Sequence, residues 1–251
     1  MRVLAGALAF GLAMSLHAQD EAALKQALRS FQDDYYRAGA KVDEKIAAVV
    51  ELSRFRTPLI VKTVSPLLLR DAVQVRVVVA RELAKFQGVD GADGALLGAL
   101  RSRSNATPKA AQVRIMALRG LGELKARGAA ADVDVLISDK EVWVAKAAVD
   151  AAGRIRVRSS VAPLVAALRR IEGPSGANRL PLNPLEEELP ELTVKNILRE
   201  EILKQKPEVE RELLKEPILA ALKSITQQAF ATAKDWEAWW AKNKATFQVA
   251  E

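Results

Sequence analysis

The chain has 251 residues, a formal net charge of +7, no cysteine and a single histidine, His17. A chain without Cys forms no disulfide and has no thiol nucleophile. His17 lies in the N-terminal segment that we expect to be cleaved off, so the mature chain would also lack the imidazole ligands and general bases on which most zinc sites and many hydrolases depend. The composition therefore predicts no catalytic residue, no metal site and no cofactor, and it leaves carboxylate- or lysine-based chemistry as the enzymatic alternative.

Residues 1–18 have the pattern of a secretory signal peptide. Arg2 precedes a run of about fourteen mostly apolar residues, and the small residue Ala18 precedes Gln19, which predicts cleavage after Ala18. The apolar run is shorter than the roughly 20 residues that span a bilayer. We therefore expect a secreted or periplasmic protein that has lost His17, with no transmembrane segment in the mature chain.

Residues 19–40 are predicted to form an N-terminal capping helix. Leu24, Leu28, Phe31 and Tyr35 follow helical spacing, and acidic residues at the start favour a helix N-terminus. Such a helix would cover the first apolar interface of a stack of repeats.

Residues 41–173 contain one helical pattern four times. The copies cover Glu44–Phe55, Val75–Phe86, Val113–Leu124 and Val144–Ile155, and they start 31, 38 and 31 residues apart. Small or apolar residues occupy the first, fifth, sixth, ninth and twelfth positions, apart from Glu44, and this is the spacing of one helix face. A repeat period of this length indicates stacked helical hairpins.

A second helix is predicted after each copy, over Thr63–Arg70, Gly91–Leu100, Ala130–Ile137 and Ser159–Ile171. Asp71 and Asp139 each precede the next copy and are expected to favour the start of its first helix. The longer middle interval is explained by the polar insert 101–109, which predicts a surface loop.

The composition changes after Gly173. Residues 174–191 are rich in proline and predict a loop, and residues 192–251 predict a diverged fifth unit followed by a C-terminal cap. Pro217 is expected to break or kink the chain between the last two helices of that unit. The predicted helices are Leu192–Lys204, Pro207–Lys215 and Pro217–Gln227.

The tail of the chain places Trp236, Trp239 and Trp240 on one helix face, with Thr232 as the N-cap residue. The cluster predicts a cap that buries the last apolar interface, since aromatic side chains dominate such burial. A platform on which sugar rings stack is the alternative that the sequence leaves open.

The stretches Val113-Arg-x-x-Ala117-Leu-x-x-Leu-Gly122 and Val144-x-x-x-Ala148-x-x-x-Ala-Gly153 resemble HEAT repeats, two-helix units that stack into an α-superhelix. The tail 230–247 also resembles the ending of secreted bacterial HEAT-repeat proteins, in which a Trp-x-x-Trp-Trp segment closes the array. The resemblance implies an all-α fold, a right-handed α-solenoid of stacked helical hairpins with capping helices at both ends. It implies a scaffold for large ligands rather than a reaction.

The excess of positive charge lies in residues 19–173, with 26 Lys and Arg against 18 Asp and Glu, whereas residues 174–251 have 11 against 13. In HEAT-like stacks the second helices generally line the concave face. The resemblance therefore places five cations in one partner-binding groove: Lys62, Arg70, Arg101, Arg169 and Arg170. We expect a non-catalytic scaffold that binds a protein partner there, with a preference for an acidic one. A carbohydrate or anionic polymer of the envelope is the alternative, and secretion argues against nucleic acid.

Two further charged runs are interpreted as structural. Arg154, Arg156 and Arg158 could present guanidinium groups to an anion, but they also match a turn between two helices, where cations complement a helix C-terminus. Paired carboxylates at Glu186–Glu188 and Glu200–Glu201 are of the kind that glycoside hydrolysis requires. Their expected positions, a loop and an amphipathic helix, favour solvated charge instead.

Overall fold

The computed structural model describes residues 21–173 and 206–249, and over these residues the chain is all-helical, without a β-strand. The α-helices are α1 (21–35), α2 (Val42–Leu52), α3 (Pro58–Val64), α4 (Leu67–Arg70), α5 (Val73–Leu83), α6 (Ala92–Arg101), α7 (Ala111–Glu123), α8 (Ala130–Leu136), α9 (Val142–Ile155), α10 (Val161–Glu172), α11 (Lys206–Thr226) and α12 (Ala233–Asn243). Short 3-10 helices lie at Arg103–Asn105, Pro108–Ala110, Arg127–Ala129 and Arg158–Ser160. The predicted all-α class is confirmed.

Several predicted segments lie outside the described residues, namely the signal peptide 1–18, the loop 174–191 and the helix Leu192–Lys204. Within 21–173 and 206–249, no helix combines the length and the apolar character that a bilayer crossing requires. The chain divides into two compact units, residues 1–116 and 117–251, and the division falls inside α7.

The repeated pattern corresponds to the buried faces of α2, α5, α7 and α9. Its first, fifth, sixth and ninth positions are at most 8% exposed, apart from Glu44, which lies on the surface. These buried residues are Ala48, Val49 and Leu52; Val75, Val79, Ala80 and Leu83; Val113, Ala117, Leu118 and Leu121; and Val144, Ala148, Val149 and Ala152. The predicted helical register is therefore confirmed in all four copies.

In the first unit, α2 packs against α5, and α5 packs against α4 and α6. The second helix of the first repeat begins earlier than Thr63, so that prediction is wrong at its start. The sequence Thr57-Pro58 begins α3, because the Thr57 hydroxyl accepts the Ile60 N–H at 3.4 Å and Pro is favoured in a first turn. Pro66 then separates α3 from α4.

The insert 101–109 is not a plain surface loop. The side chain of Asn105 is fully buried, and its Nδ2 donates to the carbonyls of Leu68 at 3.1 Å and Ala99 at 3.0 Å. Its Oδ1 accepts a hydrogen bond from Arg76 at 2.7 Å. The sequence did not predict this role, because the polar residues of an insert are expected to be solvated. Here the Asn105 amide instead donates hydrogen bonds to buried carbonyls on α4 and α6.

Helix α1 is attached to the rest of the first unit through Tyr35, and its role as a capping helix stays a prediction. Tyr35 is 2% exposed, and its hydroxyl donates to Asp71 Oδ2 at 2.5 Å, while Lys45 Nζ contacts the same oxygen at 3.2 Å. Asp71 Oδ1 also accepts the N–H of Ala72, the N-cap residue of α5, which confirms its predicted place at that helix start. Asp139 accepts the N–H of Glu141, the N-cap of α9, in the same way.

These contacts shift the pKa values of the Tyr35 hydroxyl and the Asp71 carboxyl. Burial raises the pKa of Tyr35, and its hydrogen bond to Asp71 raises it further. Burial alone would raise the pKa of Asp71, but hydrogen bonds from Tyr35, Ala72 and Lys45 outweigh it, so the pKa lies below its usual value. The ionised carboxylate of Asp71 is therefore the form that holds α1 in place.

In the second unit, α9 packs against α8 and α11, and α10 packs against α11 and α12. Two glycines set the close approaches of this stack. A Cβ on Gly122 would lie 3.2 Å from the Ala151 Cα, and one on Gly153 would lie 3.0 Å from the Ala221 Cα. Small residues at these crossings let neighbouring helix backbones approach.

The predicted break at Pro217 is wrong. Pro217 lies inside α11, a single helix over Lys206–Thr226. A fully buried stripe runs along this helix at the spacing of the repeat's first, fifth, ninth and twelfth positions: Leu214, Ile218, Leu222 and Ile225. Because of this spacing, α11 carries a fifth copy of the pattern. Burial of the stripe offsets the cost of roughly 3 kcal/mol that a proline adds to a helix interior.

Candidate binding groove

The candidate site begins with the two faces of α10. Residues Leu164, Leu168 and Ile171 are buried and anchor the helix. The opposite stripe has small side chains, Ala162 and Ala166, followed by the exposed cations Arg169 and Arg170. Because the side chains of Ala162 and Ala166 on the outer face of this amphipathic helix are small, they leave room for another chain to pack there.

Helix α12 forms the other wall. It starts at Thr232, whose hydroxyl accepts the Asp235 N–H at 3.3 Å, which confirms the predicted N-cap. Trp236 is 0% exposed and its Nε1 donates to the Phe230 carbonyl at 3.0 Å, so this ring fixes the helix on the second unit. Glu237, Trp240, Ala241 and Lys244 follow at helical spacing along the side that faces α10.

Polar contacts hold α12 against α10. The N–H of Ala233, at the first turn of α12, donates to Glu172 Oε2 at 2.8 Å, and Arg169 pairs with Glu237 at 2.9 Å. A carboxylate at a helix N-terminus also complements the helix dipole. The part-buried contact of Glu172 fixes the start of the crossing, while the exposed Arg169–Glu237 pair adds little to its stability.

Between the two helices, the described residues leave a groove of about 640 Å³, here named the α10–α12 groove. Its lining residues are Ala162, Val165, Ala166, Arg169, Arg170, Gly173, Glu237, Trp240, Ala241 and Lys244. The floor is apolar and the rim is mostly cationic. A volume of this size lies within the range of about 300–1,000 Å³ that is typical of ligand pockets.

The three rim cations differ in how firmly they are held. Arg169 is 74% exposed and pairs with Glu237, which is 40% exposed, whereas Arg170 pairs at 3.4 Å with the largely buried Glu210 of α11. Lys244 has no acidic side chain within ion-pair distance in the described parts of the chain. An exposed ion pair contributes little to stability, so Arg169 and Lys244 are the cations that a ligand could engage at low cost.

The tryptophan cluster divides into a cap and a wall. The Trp236 ring is buried, as the predicted cap requires. It packs edge-on against the Phe230 ring, with 5.0 Å between the ring centroids. Trp240 is only half-buried, stacks on Trp239 at 6.1 Å and contacts Phe247 at 6.0 Å. One ring therefore closes the core, while Trp240 borders the α10–α12 groove.

Two of the five predicted cations share one groove in the second unit. Arg169 and Arg170 share the α10–α12 groove, where both also make ion pairs within the chain. Lys62, Arg70 and Arg101 are exposed residues of the first unit, on α3 and at the ends of α4 and α6. A groove that contains all five cations stays a prediction.

The Arg154–Arg158 run is structural, as interpreted. Arg154 pairs with Glu123, and Arg156 closes α9 in a left-handed conformation at φ 55°. Arg156 Nε donates to the Ser224 carbonyl at 3.0 Å, and Arg158 donates to the Lys244 carbonyl. Both acceptors lie at C-terminal ends of helices, α11 and α12, where a cation complements the unpaired carbonyls.

The acidic residues offer no assembled centre among the described residues. No group of three His, Asp or Glu side chains there is placed to hold a metal ion. Burial raises the pKa of Asp134, and the hydroxyls of Ser160 and Ser159 oppose the rise. The carboxylates of Glu186–Glu188 and Glu200–Glu201 lie outside the described residues.

Sequence reasoning missed Glu237 and Lys244 as parts of the site. Both lie on the helix of the tryptophan cluster, at three residues before and four residues after Trp240, and hence on its face. That spacing could have linked the aromatic and charged features. What it could not supply was that this face lies against α10.

Comparisons with protein-family models, with curated proteins and with solved structures give no match to this chain. The likeness to HEAT repeats therefore rests on the sequence pattern.

Proposed function

We propose that this protein is a secreted or periplasmic scaffold, a right-handed HEAT-like α-solenoid without catalytic activity, which binds a partner protein. The observation that supports the binding role best is the α10–α12 groove, where an apolar floor, an aromatic wall and a cationic rim converge. Interfaces of this composition are typical of protein recognition, in which a Trp supplies contact area and cations set orientation.

The solenoid part of the proposal is supported by packing within the second unit. The Gly122–Ala151 and Gly153–Ala221 approaches repeat one crossing, first between α7 and α9 and then between α9 and α11. Repetition of one interface is how solenoids are built, since each unit contacts only its neighbours. In such a stack α10 is a second helix, which is the kind that lines the concave face.

The proposal can be tested by partner capture. Protein that starts at Gln19 is immobilised and exposed to envelope and culture-supernatant extracts at low and high salt. Ala166→Trp fills the groove floor without changing charge, and Ala131→Trp at an exposed position of α8 is the matched control. A protein retained at both salts by the wild type and the control, and lost with Ala166→Trp, would support the proposal. Equal retention by all three proteins, or none by any, would contradict it.

An envelope carbohydrate or anionic polymer is the second candidate, because the half-buried Trp240 lies beside the cationic side chains of Arg169, Arg170 and Lys244. Binding of a polymer through phosphate, sulfate or carboxylate groups would be retained only at low salt, since such contacts are screened. Salt-sensitive retention of polymer without a retained protein would favour this candidate.

A further inference from the structure

We infer that the α10–α12 groove binds a segment of a partner protein that carries a carboxylate next to a bulky apolar side chain. This inference rests on the proposed function and names the chemistry of the partner. It follows from the charge of the rim, the exposure of its Arg169–Glu237 ion pair and the shape of the floor.

The charge of the rim selects the sign of the ligand. Three of the lining residues are cationic, Arg169, Arg170 and Lys244, and one is acidic, Glu237. A ligand carboxylate near Lys244 would gain an ion pair that no side chain of residues 21–173 or 206–249 provides. Charge complementarity of this kind selects partners and speeds their association.

The two arginines are assigned different roles. The Arg169–Glu237 pair is solvated, so Arg169 can exchange Glu237 for a ligand carboxylate with little loss. Arg170 is held by Glu210, whose side chain is 16% exposed, so releasing it would leave a largely buried carboxylate without its partner. Lys244 and Arg169 therefore contact the ligand, and Arg170 has a positioning role.

The shape of the floor selects a bulky apolar group. Ala162, Ala166 and Ala241 are small, whereas Val165 is buried and closes the bottom of the groove. Trp240 stands at one side, supported by Trp239 and Phe247, so its ring is held in place before a ligand arrives. A Leu, Phe or Trp side chain would fill this space and displace water from apolar surface.

The lining favours a peptide over a neutral sugar. Sugar hydroxyls need both donors and acceptors, yet Glu237 is the one side-chain acceptor among the lining residues and it is already paired. The other polar side chains, Arg169, Arg170 and Lys244, are cationic donors, which match carboxylates. An acidic polysaccharide shares that chemistry but lacks the apolar group that the floor accepts.

The test selects short peptides from a random library on the purified protein, with counterselection on the Ala166→Trp variant. We expect the selected peptides to place Glu or Asp beside Leu, Phe or Trp. Lys244→Glu should weaken them about tenfold or more, while Arg127→Glu, an exposed charge reversal outside the groove, should leave affinity unchanged. Peptides without acidic residues, or equal weakening by both variants, would overturn the inference.

Other occupants give distinct results, and each overturns the inference. Polygalacturonate binding that depends on Lys244, with no acidic peptide selected, would assign the groove to a polymer. A dimer detected by light scattering and lost with Ala166→Trp would assign it to a second copy. Peptide binding that emerges only after Glu186, Glu187 and Glu188 are changed to Gln would assign it to the chain's own acidic run. If a partner is captured but retained by Lys244→Glu, the inference fails while the proposed function stands.

Discussion

Gly153 on α9 and Ala221 on α11 lie so close that a Cβ added to the glycine would be 3.0 Å from the Ala221 Cα and 3.1 Å from its Cβ. The Ser224 hydroxyl donates to the Gly153 carbonyl at 2.8 Å beside this contact. The backbones of the two helices therefore lie in contact. The packing of α9 on α11, which precedes the α10–α12 groove, requires a residue without a side chain at position 153.

Substitution of Gly153 by Leu is expected to destabilise the protein by about 1–3 kcal/mol or more, because overpacking forces the helices apart. Gly98→Leu is the matched control, since a Cβ on Gly98 meets nothing within 4 Å. Chemical denaturation measures the free energy of unfolding of both variants.

Substitution of Gly122 or Ala148 by a bulky residue should also destabilise the stack. Equal stability of the Gly153 and Gly98 variants would contradict the crossing described.

Replacement of Pro217 by Ala is expected to stabilise the protein by about 1–3 kcal/mol, because Ala restores an N–H and removes the clash inside α11. A higher midpoint in urea, with an unchanged slope, is the expected observation. A lower midpoint would mean that the proline ring makes packing contacts worth more than its backbone cost.

The two tryptophans should separate stability from binding. Trp236→Ala removes a fully buried ring and should cost about 3–5 kcal/mol. Trp240→Ala, at a half-buried position, should cost less than about 2 kcal/mol while abolishing partner capture. Thermal unfolding and capture are measured on both variants. A Trp240 variant that binds normally would remove this ring from the site.

The Tyr35–Asp71–Lys45 contacts predict a defined pH dependence. Because the pKa of Asp71 is lowered in the folded protein, its stabilising contribution is present above its unfolded pKa and is lost as pH falls through the folded value. Asp71→Asn should therefore cost about 1–3 kcal/mol at neutral pH, and the difference from wild type should shrink below about pH 4.

The measurement for this prediction is urea denaturation across pH. Asp90→Asn, at an exposed position in the turn before α6, is the control and should follow the wild-type curve. A loss of stability in the Asp71 variant that stays constant down to pH 2 would show that the carboxylate charge is not what holds α1.

The helical repeat could be predicted because its apolar spacing is a local property that the sequence displays directly. A diverged fifth unit was predicted, but its continuous helix α11 was not, because the local penalty of Pro217 predicts a break, whereas burial of Leu214 and Ile218 stabilises the helix across it. Asn105 was misjudged for a related reason: its partners, the Leu68 and Ala99 carbonyls, belong to different helices and become neighbours only in the fold.

The site was predicted in pieces. Arg169, Arg170 and Trp240 were each singled out from the sequence, but as features of two separate hypotheses. Their meeting in one groove depends on how α12 folds back on α10, which is set by contacts such as Glu172 with the Ala233 N–H. Such pairings, 61 residues apart in the chain, have no local sequence signal.

The most direct test of the central claim is amide hydrogen exchange of the protein with and without its captured partner. If the partner binds in the α10–α12 groove, exchange should slow in α10 and α12 and stay unchanged in α2. Protection confined to the segments around Lys62, Arg70 and Arg101 would contradict the account and place the partner on the first unit instead.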